Sequence, residues 1–100
     1  MLVTPLCRTV NVRAHVIFDG LVQGVFFRSN AKKCADSLGI TGWVRNTADG
    51  KVEAVFEGEE EKVRRAIDWC SAEQPYARVE SKSAKMSDAT GEFDSFDIRY

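Results

Sequence analysis

Apolar residues in this chain recur every second position, then at helical spacing, then every second position again, and that order limits the possible folds. Val10, Val12, Ala14, Val16 and Phe18 share one face, with Asn11, Arg13 and His15 on the other, which predicts a half-buried strand. Gly20 and Gly24 mark an irregular loop after it. Phe27, Ala31, Cys34, Ala35 and Leu38 then fall on one side of a helix, and Gly39 suits the position just past its end. Thr41–Asn46 and Lys51–Glu57 predict two strands joined through Thr47-Ala48-Asp49-Gly50, with Gly50 at positive φ. A second helix runs from about Glu59 to Ser71 on Val63, Ala66, Ile67 and Cys70. Ala77–Lys85 reads as a polar edge strand, Ser87–Glu92 as a loop, and Phe96, Ile98 and Tyr100 as a last short strand.

Strand, helix, strand, strand, helix, strand, with one strand added, leaves few topologies. Both helices are crossovers, and right-handed connections put both on the same face of the sheet. The expected fold class is α+β: a ferredoxin-like split βαβ sandwich, antiparallel, with two helices on one face. Strands one and three pair centrally and strand two lies beside strand three. Residues 1–9, which contain Pro5 and little pattern, are expected to be a loose tail, and residues 10–100 one domain.

A net charge of −1 argues against binding nucleic acid through bulk charge. RNA recognition on the open sheet face needs aromatics there, whereas Arg13, His15, Glu53 and Val55 are the candidates for that face. The N-terminus has no leader pattern, and no stretch reaches the ~18 apolar residues of a membrane span. A cytoplasmic, monomeric protein is the expectation. The cysteines Cys7, Cys34 and Cys70 show no CxxC spacing, which speaks against a zinc site or a disulfide framework. Cys34 and Cys70 read as small core residues, and Trp43 and Phe56 as core aromatics.

The chemistry concentrates between the first strand and the first helix, in GLVQGVFFR, residues 20–28. Glycines let the backbone approach a ligand, successive amides can converge on an anion, and a helix N-terminus adds unpaired N–H groups. Arg28 supplies a guanidinium that can hold two phosphate oxygens at once. On residue types alone, an anion cradle and an ordinary turn with a surface arginine stand level. Asn46, where the second strand meets its hairpin, offers a donor and an acceptor suited to holding a water, and equally suited to capping the turn. Either Phe26 or Phe27 must anchor the helix, which leaves the other free to line a pocket.

Two long segments carry a family likeness. GLVQGVFFR at 20–28 resembles the acylphosphatase signature G-x-V-Q-G-V-x-[FY]-R, and GWVRNTADGKVEAVFEG at 42–58 resembles that family's second signature. ARVES at 77–81 and FDIRY at 96–100 are also similar, so the likeness covers about residues 10–100. Gln74-Pro75-Tyr76 departs from the family's Gly-Pro-rich turn. The resemblance implies hydrolysis of the carboxyl-phosphate bond of small acyl phosphates, with no metal and no organic cofactor. It implies that Arg28 and the backbone amides of Val22, Gln23, Gly24, Val25, Phe26 and Phe27 bind phosphate, and that Asn46 holds the attacking water. A stand-alone enzyme is expected rather than an accessory domain of a carbamoyl-transfer maturation protein.

Overall fold

A computed structural model describes residues 10–100. The expected tail at 1–9, with Cys7, lies outside the described residues. The chain runs β1 (Asn11–Leu21), α1 (Phe27–Leu38), β2 (Thr41–Asn46), β3 (Val52–Glu59), α2 (Glu60–Ala72), β4 (Arg78–Asp88) and β5 (Phe96–Arg99). The sheet order is β4-β1-β3-β2-β5, the split βαβ sandwich that the pattern predicts. β4, β1, β3 and β2 each pair antiparallel with their neighbours, and β5 joins β2 in parallel, which makes the sheet mixed. The parallel pairing follows from the path of the chain. β4 descends at one edge, residues 89–95 cross below the sheet, and β5 must climb at the other edge.

One face of the sheet and the inner faces of both helices form a single core. Ala14, Val16 and Phe18 of β1, Val52, Ala54 and Phe56 of β3, and Val44 of β2 are fully buried under Phe27, Ala31 and Ala35 of α1 and Val63 and Ala66 of α2. Phe18 and Phe27 meet at 5.0 Å and Phe56 stacks on Phe96 at 5.5 Å, so aromatic pairs tie both ends of the sheet to the core. Burial pushes the Cys70 thiol up to about 12, the behaviour of an inert core residue. Cys34 is only half-buried.

Trp43 corrects an expectation. It is not in the core, because Gly42 and Val44 take the inward positions of β2 and turn Trp43 onto the open face. There the guanidiniums of Arg99 and Arg45 lie over its ring at 4.8 and 5.8 Å. His15 and Glu53 also meet on that face, with Nε2 and Oε2 2.6 Å apart, and Arg45 completes the group at 2.6 Å from Glu53 Oε1.

The strands run further than the alternation suggests. Gly20 belongs to β1, not to the loop, and pairs with Val79 where the β1–β4 register shifts. At φ 131 it lies so close to β4 that a Cβ would meet the Arg78 carbonyl oxygen at 2.3 Å. Glycine is therefore needed there for strand contact. Gly39 and Gly50 have the expected positive φ, at the end of α1 and in the β2–β3 hairpin.

Candidate active site

β1 and β2 both pair antiparallel with β3, so they run the same way and end at the same edge of the sheet. Val52 of β3 faces Phe18 on one side and Asn46 on the other, which sets Asn46 level with the end of β1's core segment. Beyond that level β1 gives way to residues 22–26, and α1 starts at Phe27. Val22 and Phe27 are buried and pin the two ends of this loop to the core.

The loop, the first turn of α1 and the end of β2 enclose a cleft of about 260 Å³. It is lined by Val22, Gly24, Phe26, Phe27, Arg28, Ser29 and Asn46. Arg28 and Asn46, distant in the chain, thus share one cavity with the loop backbone. Gln23 braces this arrangement. Its side-chain amide donates to the carbonyls of Thr47 at 2.9 Å and Lys51 at 2.8 Å, on the hairpin that follows Asn46. Gln23 was expected to contribute only a backbone amide, and its side chain is the tie between loop and hairpin. Within the hairpin Thr47 N–H donates to Lys51 O at 2.8 Å, and Lys51 N–H donates to the Thr47 hydroxyl at 3.0 Å.

The start of α1 is open to an anion. Its N-cap is Phe26, which has no side-chain oxygen to bond the first-turn N–H groups, and no acidic residue stands in that turn. The amide ends and the positive end of the helix dipole are therefore not countered locally. Phe26 adopts φ 61, ψ 24, the one non-glycine positive φ among the described residues. Gly24, at φ 74, takes a second left-handed turn in the same short loop.

Both phenylalanines line the cleft, but Phe27 is buried and anchors α1, whereas Phe26 is 70% exposed. Tyr100 carried no expected role, yet its ring lies 4.9 Å from the guanidinium carbon of Arg28. No periodicity signals that contact, because it depends on β5 pairing beside β2. Among the described residues no group of three or more His, Cys, Asp or Glu side chains is placed to hold a metal ion, and no helix is long and apolar enough to cross a membrane.

The family model described as acylphosphatase matches residues 14–98. A protein of Pelotomaculum thermopropionicum named acylphosphatase is 48% identical over 88 residues, covering 88% of this chain and 96% of its own. The crystal structure of acylphosphatase from Bacillus subtilis superposes with a TM-score of 0.84 at 32% identity, over 89% of this chain and 99% of that one. An acylphosphatase structure from Coxiella burnetii gives 0.83 at 33% identity, over 90% and 94%.

Proposed function

On the premise that the chain belongs to the acylphosphatase family and is an enzyme that hydrolyses acyl phosphates, we propose how its cleft divides the work. Arg28 and the amides of Val22, Gln23, Gly24, Val25, Phe26 and Phe27 bind the phosphoryl oxygens. Asn46 holds the attacking water. The observation that carries this reading is the shared cleft of Arg28, Asn46 and the loop.

The water oxygen attacks phosphorus, the bond from phosphorus to the carboxyl oxygen breaks, and its electron pair leaves on a carboxylate. That anion is stable without protonation, so the step needs no general acid. The demand is for in-line placement of water and for charge stabilisation on the equatorial oxygens. A guanidinium makes two parallel bonds to those oxygens, and amides fixed by the fold need no reorganisation as charge shifts. The water's proton passes to an oxygen of the substrate's own phosphoryl group, which accounts for a cleft without a carboxylate or imidazole among its lining residues. The same reading has the protein working as a cytoplasmic monomer, without metal, organic cofactor, nucleic acid or membrane.

The test is phosphate release from benzoyl phosphate by wild type, Arg28→Ala and Asn46→Ala. Arg28→Ala is expected to lose both turnover and competitive inhibition by inorganic phosphate. Asn46→Ala is expected to keep that inhibition and lose roughly 10²-fold in kcat. An Asn46→Ala enzyme that turns over normally but no longer binds phosphate reverses the two assignments.

A further inference from the structure

Five large apolar side chains stand exposed among the described residues: Val10, Leu21, Phe26, Tyr76 and Tyr100. Three of them gather at the cleft: Phe26 lines it, Tyr76 stands edge-on to Phe26 at 6.3 Å, and the Tyr100 ring lies 4.9 Å from the guanidinium carbon of Arg28. Exposed apolar groups scattered over a surface need no explanation, but their concentration around one cavity does.

Phe26 carries a second cost. It sits in the left-handed region, which a glycine would occupy without strain, and it holds its ring 70% exposed. Its one aromatic contact is with Tyr76, itself exposed, and backbone strain of this kind clusters where a ligand is met. Phe26 fills a position that the loop signature leaves open, and Tyr76 lies in the segment that departs from the family's usual turn. Neither of these two side chains is fixed by the phosphate-loop signature.

We infer that Phe26 and Tyr76 form the acyl-group subsite, and that it selects acyl phosphates with an aromatic or similarly bulky apolar acyl group. The inference rests on the proposed phosphate site, since a phosphoryl group held by Arg28 directs its acyl substituent out of the cleft toward this rim. A phenyl ring laid against the Phe26–Tyr76 pair gains contacts with both rings, whereas a methyl group is too small to reach both.

The test compares kcat/KM for benzoyl and acetyl phosphate in wild type, Tyr76→Ala and Phe26→Ala, with inhibition by inorganic phosphate measured alongside. Tyr76→Ala is expected to lose roughly two- to tenfold on benzoyl phosphate, the usual worth of an aromatic contact, and to keep its rate on acetyl phosphate. Phe26→Ala is expected to lose more on benzoyl than on acetyl phosphate. Both changes are at exposed side chains, and an unchanged melting temperature excludes a folding effect. Equal losses on the two substrates, or none on either, overturn the subsite and leave the proposed reaction standing. Failure of the wild type to release phosphate from either substrate overturns the reaction itself, and the subsite with it.

Discussion

The guanidinium carbon of Arg28 lies 4.9 Å from the centre of the Tyr100 ring, so the proposed phosphate ligand rests on an aromatic face supplied by the residue that follows β5. An arginine side chain has many rotamers, and stacking one face of its planar group limits them before substrate arrives. An exposed cation–π contact is worth about 0.5–1 kcal/mol. Tyr100→Ala is therefore expected to lower kcat/KM for an acyl phosphate by about two- to fivefold. Tyr100→Phe keeps the ring and is expected to keep the rate, which steady-state kinetics on the two variants will check.

Gln23 makes a different prediction, because its two bonds join the loop to the hairpin rather than to the ligand. Gln23→Met preserves length and volume and removes both donors. Each bond is worth about 1 kcal/mol, so a fall of about tenfold in kcat is expected as the Asn46 water drifts out of line. In an Asn46→Ala background the same change is expected to cost much less, since no positioned water remains to lose. A double-mutant cycle on kcat checks the coupling, and full multiplication of the two losses contradicts the bracing role.

The two neighbouring phenylalanines separate stability from function. Phe27 is buried against Phe18, and truncating it leaves a cavity in the core. Phe27→Ala is expected to lose about 3–5 kcal/mol of unfolding free energy. Phe26→Ala removes an exposed ring and is expected to change stability by less than about 0.5 kcal/mol. Denaturant titration of the pair distinguishes them, and the reverse order of losses would falsify the division between anchor and rim.

This division also shows where the sequence was legible. The core faces of β1, β3, α1 and α2 follow from apolar spacing, because burial there is a property of each segment's own periodicity. Gly39 and Gly50 fall where a glycine alone signals a positive φ. Trp43 misleads for the same reason. An aromatic in an alternating strand reads as inward, and only the glycine and valine on either side of it decide the face. The meeting of Arg28 with Asn46 follows from strand order, which the pattern supplies. The contacts of Gln23 with Thr47 and Lys51, of Tyr76 with Phe26 and of Tyr100 with Arg28 depend on side-chain reach across elements, and no local pattern encodes them.

The leaving-group argument carries its own check. If a carboxylate departs without a Lewis acid and Arg28 with the amides neutralises the phosphoryl charge, chelators have nothing to remove. Turnover measured after exhaustive dialysis against EDTA is expected to match the untreated enzyme. A loss restored by a divalent ion would show that the guanidinium and amides do not suffice.

Acid stability turns on Glu57 at the opposite edge of the sheet. It is buried, and burial pushes its carboxyl up. The hydroxyl and N–H of Thr90, the N–H of Gly91 and the Arg13 guanidinium, all donating to it at 2.8–3.2 Å, more than reverse that effect. The net result is a carboxyl held below its ordinary 4.5. Glu53 is also lowered, chiefly by its hydrogen bond to His15, with Arg45 adding to the effect. A folded-state value below the unfolded one contributes stability that is complete above about pH 4.5 and disappears as pH falls through the folded value. Unfolding free energy is therefore expected to hold level from neutrality to about pH 5 and to decline below it. Glu57→Gln retains one carbonyl acceptor for the 90–91 loop but loses the charge opposite Arg13. It is expected to cost about 1.5–3 kcal/mol at pH 7 and to flatten the decline below pH 4.5. Urea denaturation of both proteins across pH 3–7 measures the two slopes, and equal slopes would place the acid sensitivity elsewhere.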